Sequence, residues 1–262
     1  MTLWHERRGA GEPMLLLHGV GMDWRVWLPV LDALGEAGFQ TIAVDVPGFG
    51  GSLSLPSDRA PTIQALAQAV AGFLDELGLQ RAHLVGNSMG GGIALELARA
   101  GRASSVRAIS PVGLWTPKEL RFCQLSLHLT LAAVRAAPAL LASGSSSPLV
   151  RTLLGAQIFS RPWRIPPQRM REMIQALAGG NGFLPTVSAF ERYTLTASPE
   201  LDDVPVTILW GSRDYLLLTR QADRARRLLR HASHAWLWHL GHVPMWDDPA
   251  LVSAAIIQAA RS

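Results

Sequence analysis

Residues 83–98 read HLVGNSMGGGIALELA: an apolar run enters a serine fenced by glycines and leaves directly as a helical pattern. The pentapeptide Gly86-Asn87-Ser88-Met89-Gly90 fits G-x-S-x-G. A very sharp strand-to-helix turn needs small residues two before and two after the serine, because a Cβ at either place collides across the bend. The serine is forced into strained backbone angles, and its hydroxyl is lifted clear of the sheet with a helix N-terminus behind it. That geometry suits a nucleophile. Glycine and serine are also common in ordinary loops, so the weight of the pattern depends on what the rest of the chain sets around it.

Short apolar runs alternate with helical patterns along most of the 262 residues. MLLLHG (14–19), TIAVDV (41–46), AHLVGN (82–87), VRAIS (106–110), VTILWG (206–211) and AWLWHL (235–240) read as buried parallel strands. Between them, TIQALAQAVAGFLDELG (62–78) sets Ile63, Leu66, Val70, Phe73 and Leu77 on one helical face. Thr62 can cap its start and Gly78 its end. Asp248-Pro249 places a capping acid and a first-turn proline before the last helical run. Such alternation predicts an α/β fold, a mostly parallel central sheet flanked by helices.

One stretch breaks the rhythm. From 113 to 199 no run reads as a strand, which predicts a helical insertion between two core strands, with breaks at Gly144–Pro148 and Gly179–Gly182. His128, Arg135 and Pro138 interrupt its Leu- and Ala-rich part too soon for a span of ~20 apolar residues, so no stable membrane insertion is expected. Leu125, Leu127, Leu129 and Leu131 alternate, which predicts a partly irregular lid, with Trp163 and Phe190 as bulky candidates for pocket walls. The core is then 1–112 and 200–262, and the insertion 113–199.

Hydrophobic residues make up 48% and charged residues 17%, a balance that suits a chain with a sizeable core and excludes a disordered one. The single cysteine, Cys123, excludes an internal disulfide, and the start MTLWHERRGAGEP has no apolar signal region. Together these predict a cytoplasmic protein. The formal charge is +4, carried almost wholly by arginine. Its densest cluster, Arg220, Arg224, Arg226, Arg227 and Arg230, interleaves with Leu228 and Leu229 as a solvated helix face does, so no nucleic-acid partner is expected.

A serine needs a base within hydrogen-bond reach, and the base needs an acid to fix its tautomer. VTILWGSRDYLL carries Asp214 just past one late strand, and WLWHLGHVPMWDDP carries His242 just past the last. The chain order Ser, Asp, His is the one that accompanies a nucleophile elbow. Met89 N–H, directly after the serine, can face a developing oxyanion. HGVG (18–21) offers a second donor at Val20, with Gly19 and Gly21 letting the backbone bend.

With HGVG, DVPGFGGS (45–52), GNSMGG (86–91), VPVTILWGSRD (204–214) and GHVPMWDDP (241–249) in that order, the sequence resembles the α/β-hydrolase family, of the capped esterase and C–C-bond hydrolase type. The resemblance implies Ser88 as nucleophile, His242 as base, Asp214 as acid, Val20 and Met89 as the oxyanion hole, and 113–199 as a cap. Asp247 stands where relatives more often have glutamate. The implied activity is hydrolysis of small to medium apolar carboxylic esters through an acyl-enzyme, with a small-molecule partner and neither cofactor nor metal. Serine at the elbow argues against the relatives that carry aspartate there, the haloalkane dehalogenases and epoxide hydrolases.

Two alternatives stay open. GNSMGG, including Asn87, resembles C–C hydrolases of aromatic meta-cleavage products, although those often carry an aromatic where Val243 stands. They also use a cap arginine, for which Arg161, Arg164, Arg171 and Arg192 are candidates. The other is a non-catalytic ligand-binding receptor on the same fold, since fold alone never settles function. Asn87 and Trp246 are candidate substrate contacts. His18 reads as a structural histidine under the oxyanion turn, and Trp24 and Trp27 as packing residues. His231, His234 and His239 read as surface or strand-end residues. Oligomeric state is not legible in the sequence.

Overall fold

The computed structural model describes residues 2–261. Seven strands form one sheet: β1 (His5–Arg8), β2 (Glu12–Leu17), β3 (Phe39–Val44), β4 (Ala82–Asn87), β5 (Ala103–Ile109), β6 (Val206–Gly211) and β7 (Ser233–Leu237). Their spatial order is β1-β3-β2-β4-β5-β6-β7, parallel throughout except for β1, which runs antiparallel to β3. Strand alternation loads both faces. Leu15, Leu17, Ile42 and Leu84 enter one apolar layer, while Met14, Leu16, Ala43 and Val85 enter the other. Register aligns Leu15 with both Ile42 and Leu84, so the layers are continuous across the sheet.

Eleven α-helices occur among the described residues. In the first half are α1 (Leu28–Glu36), α2 (Ile63–Glu76) and α3 (Met89–Arg99). Between β5 and β6 come α4 (Pro117–Ala136), α5 (Pro138–Gly144), α6 (Pro148–Gly155), α7 (Pro167–Gly179), α8 (Phe183–Ala189) and the short α9 (Pro199–Asp202). After β6 follow α10 (Arg220–Leu228) and α11 (Pro249–Arg261). Thr62 caps α2 by accepting from Ala65 N–H at 3.2 Å, and Asp248 accepts from Leu251 N–H at 3.0 Å at the start of α11. Buried residues of α2 and α3 fill one layer, and those of α1 and α11 the other.

Four sequence expectations are corrected. β1 has no counterpart among the predicted runs: HERR lacks apolar alternation and is placed by edge pairing, His5 opposite Val44, with Arg8 bonded to Asp32 and the His5 ring on Phe73. The predicted strands 14–19 and 41–46 each start and end two residues earlier in the structure: Glu12 and Pro13 pair with Phe39 and Gln40, and past Leu17 and Val44 the side chains of His18 and Asp45 make the bonds described below. β7 likewise stops at Leu237, after which Trp238 is exposed and His239 has φ +65°. The arginine cluster is only in part a solvated face. Arg220 and Arg224 both bond to the buried Glu119 carboxylate, and Arg224 Nε donates to the Leu114 carbonyl at 2.5 Å, pinning α10 to the start of α4.

The fourth correction concerns the alternating leucines. α4 is a regular helix of 20 residues, started by a capping box in which Thr116 and Glu119 bond each other's backbone N–H groups. Leu127 and Leu131 share the inner face with Cys123 and Val134, while Leu125 and Leu129 fall on the outer face. A period of two over seven residues is also two i, i+4 pairs, and the cap and helix-forming composition decide for the helix. Leu131→Ala is therefore expected to lower stability by about 2–4 kcal/mol, and Leu129→Ala by under about 0.5 kcal/mol, measured by urea denaturation. Equal losses would show that the two faces are not distinct.

The segment between β5 and β6 leaves and returns at one place, where Leu195 N–H donates to the Gly113 carbonyl at 2.9 Å. Tyr193 Oη donates to Glu96 of α3 at 3.0 Å, fastening the returning end to the helix that follows Ser88.

Candidate active site

The turn at Ser88 has the geometry its glycines imply. Ser88 sits at φ 56°, ψ −115°, a region L-residues rarely adopt. A Cβ on Gly86 would stand 2.1 Å from the Gly90 carbonyl oxygen, and one on Gly90 would stand 2.0 Å from that of Leu17. The strain is held by Ser88 N–H donating to Ile109 at 2.9 Å, and by the Ser88 carbonyl accepting from Gly92 and Val112.

Asp214 follows β6 and is buried. Its Oδ1 accepts from the N–H groups of Leu216 at 3.0 Å and Leu217 at 2.8 Å, which leaves Oδ2 for His242 Nδ1 at 2.7 Å. A carboxylate so bonded fixes the proton on Nδ1 and leaves Nε2 as an acceptor. Ser88 and His242 line the same cavity. No hydrogen bond joins Ser88 Oγ to His242 among the described residues.

The loop carrying His242 is tied down by two residues. Asn87 Nδ2 donates to the His242 carbonyl at 2.9 Å and to that of Ile109 at 3.3 Å. Asn87 thus lines the cavity, but its amide nitrogen holds the loop that carries the imidazole. Asp247 accepts from Gly241 N–H at 2.8 Å and from Ser160 and Arg161 N–H at 2.9 Å each, clamping that loop to the segment after α6. Val243 N–H adds a bond to the Ile158 carbonyl at 2.8 Å. Neither tie is announced by the sequence beyond the presence of a polar residue, since each depends on a backbone partner more than 80 positions away.

The turn after β2 is braced from β3. Val46 N–H donates to His18 Nε2 at 3.0 Å, so the imidazole carries its proton on Nδ1 and donates to the Gly19 carbonyl at 2.8 Å. Burial holds this imidazole below its ordinary range, which keeps it neutral. Asp45 accepts from Trp24 and Gly51 N–H at 2.7 Å each, linking the two loops. The N–H groups of Val20 and Met89 donate to no protein acceptor among the described residues. Two free donors thus lie on the turn and on the helix start that flank Ser88.

The cavity over Ser88 measures about 80 Å³ and is lined from the core by Gly19, Val20, Met22 and Val243, and from the inserted segment by Leu127, Thr130, Leu154, Ile158, Leu177 and Phe183. A second chamber of about 80 Å³ shares Met22, Thr130, Leu154, Ile158 and Leu177 with it, and adds Val134, Phe159, Met170, Met173 and Ile174. No arginine, lysine, aspartate or glutamate lines either chamber. Trp246 is not part of either wall: its Nε1 donates to Val26 at 3.0 Å and the Arg169 guanidinium lies over its ring. Trp163 is half exposed and Phe190 packs on Trp115 inside the core, so neither bulky candidate lines the cavity over Ser88. Cys123 is near Asp214, and burial first, then that charge, pushes its thiol up to about 12, which leaves it unreactive.

Residues 14–255 match the model of the alpha/beta hydrolase family. Along 261 residues the chain is 27% identical to the human monoacylglycerol lipase ABHD6, covering 96% of this chain and 76% of that one. Over 112 residues it is 44% identical to the dihydrolipoyllysine-residue acetyltransferase component of the acetoin cleaving system of Cupriavidus necator, covering 42% of this chain and only 29% of that protein. The enol-lactonase of Burkholderia xenovorans LB400 superposes with a TM-score of 0.79 at 19% identity, covering 99% of this chain and 96% of that one, a likeness of fold alone. Other solved structures of this fold include esterases and meta-cleavage product hydrolases. With residues 14–255 matched, the chain belongs to the alpha/beta hydrolase family.

Proposed function

We propose that the protein is a serine hydrolase acting on uncharged, apolar carboxylic esters, with residues 113–199 as the cap over its site. In this reading Ser88 Oγ attacks the ester carbonyl carbon while His242 Nε2 takes the hydroxyl proton. The imidazolium is stabilised by Asp214 and the oxyanion by the N–H groups of Val20 and Met89. Collapse expels the alkoxide, which receives the proton from His242. Water then attacks the acyl-enzyme by the same steps and releases the acid.

The observation that carries the reading is that Ser88 and an imidazole aligned by a buried carboxylate line one cavity with mostly apolar, uncharged walls, with Val20 in the same lining and Met89 directly after Ser88. The same walls favour an ester over a dienoate cleaved at a C–C bond, whose carboxylate would find no cation there. Arg161, Arg164, Arg171 and Arg192 are all outside the lining.

The test is a nitrophenyl-ester series on the wild type and on a Met173→Trp variant that fills the second chamber. Each acyl CH₂ buried should gain about 0.8 kcal/mol, roughly fourfold in kcat/KM, until the space is full. The expected optimum is a medium acyl chain in the wild type and a shorter one in the variant. A fluorophosphonate should label Ser88, as read by peptide mass. An acetate optimum shared by both proteins would overturn the substrate assignment, and failure of labelling would favour a binding protein.

A further inference from the structure

Between Glu119 and Glu172 lie 52 residues without a single aspartate or glutamate, where the frequency of the whole chain would place about four; the same stretch holds seven arginines. It spans α4, α5 and α6, and it also holds most of the large apolar side chains left exposed on the molecule. On α4, Phe122, Leu125 and Leu129 follow at i, i+3 and i+7 with exposures of 45%, 60% and 62%. On α6, Leu149 and Leu153 follow at i, i+4 with 67% and 75%. A soluble face seldom concentrates leucine in this way without a partner.

Charge and position together identify the partner. Lys118 and Arg121 are exposed at the N-terminal end of the α4 stripe, and neither is in an ion pair among the described residues. Arg135, exposed at the other end, donates only to the carbonyls of Ala178 and Gly180, so its charge is not neutralised by a carboxylate. These stripes are the outer faces of the two helices whose inner residues, Leu127 and Thr130 on α4 and Leu154 on α6, wall the cavity over Ser88.

We infer that the outer faces of α4 and α6 dock the protein onto an anionic lipid surface, the leucines entering the acyl boundary and the basic residues meeting lipid phosphates. The attachment is peripheral. No single helix among the described residues is long and apolar enough to cross a membrane, and α4 and α5 meet at a bend of 91°. Docking needs neither turnover nor the ester assignment, so Ser88→Ala should bind vesicles as the wild type does.

The experiment is co-sedimentation of the full chain with phosphatidylcholine vesicles and with vesicles containing phosphatidylglycerol. The wild type should partition at least tenfold more strongly to the anionic vesicles, and 1 M NaCl should remove most of that preference. The double variant Leu125→Glu/Leu129→Glu should lose at least tenfold in partition, and Lys118→Glu/Arg121→Glu should lose the preference for anionic lipid. Turnover of a short soluble ester and the thermal midpoint report whether each variant is folded. Leu149→Glu/Leu153→Glu on the second stripe decides the matter if the first variant does not fold. Absence of sedimentation, or binding that the folded variants leave unchanged, would overturn the inference. So would a concentration-dependent dimer in sedimentation velocity that Leu125→Glu/Leu129→Glu abolishes, because the stripe would then be covered by a second copy of the chain.

Discussion

Ser88→Ala and His242→Ala should each lower kcat on a nitrophenyl ester by about 10³-fold or more, with the circular dichroism spectrum unchanged. In the proposed reaction, alanine at 88 removes the attacking oxygen. Alanine at 242 leaves that oxygen with its own proton and no acceptor, so the two losses describe one event. The double variant should therefore be little worse than either single one, because groups that act as a unit do not add. A residual rate above that in water is expected from the Val20 and Met89 N–H groups, which neither change touches. Turnover near that of the wild type in Ser88→Ala, with mass spectrometry excluding contamination by unmutated protein, would remove Ser88 from the reaction.

Gly90→Ala should lower stability by at least about 3 kcal/mol, a large share of the roughly 5–15 kcal/mol that keeps an ordinary domain folded. The added Cβ would meet the Leu17 carbonyl carbon at 2.5 Å as well as its oxygen at 2.0 Å, and the His18 carbonyl oxygen at 2.8 Å. All three are backbone atoms, two of them at the end of the central strand β2, so no rotamer change relieves the contact. Gly72→Ala is the control, since nothing stands within 4 Å of a Cβ there and alanine favours its helix. Chemical denaturation of both variants measures the difference; equal stability would mean that the elbow and β2 are not so closely apposed.

Much of this arrangement was legible in the residues. The five inner strands were readable because parallel strands covered on both faces are mostly apolar, whereas β7, expected to be buried as well, is an edge strand of which only Leu237 is buried. The placement of Ser88, Asp214 and His242 just past strand ends was legible in the residues, and the structure sets Ser88 and His242 on one cavity with Asp214 bonded to the imidazole. Where sequence reasoning failed, the deciding partner was remote. HERR becomes a strand only because β3 presents an open edge to it. Trp246 is outside the lining of the cavity over Ser88 because the Val26 carbonyl and Arg169 claim its ring, and no local pattern encodes either. Asn87 and Asp247 were visible as polar residues, while their use in holding a loop depends on distant backbone N–H and carbonyl groups.

The Asp247 clamp bears on how such a chain could be re-engineered. One carboxylate gathers N–H groups from Gly241, Ser160 and Arg161, and a Cβ on Gly241 would stand 2.8 Å from the Ile158 carbonyl oxygen. The turn at 158–161 is thus built to the measure of the imidazole's own loop. A graft that exchanges all of 113–199 for a foreign segment would cut through this joint and leave the carboxylate to find new partners. One that exchanges only α4 and α5 would leave it whole. The boundary at which part of the insertion can be exchanged without disturbing the His242 loop lies inside the insertion, ahead of α6, and not at the points where the insertion joins the sheet.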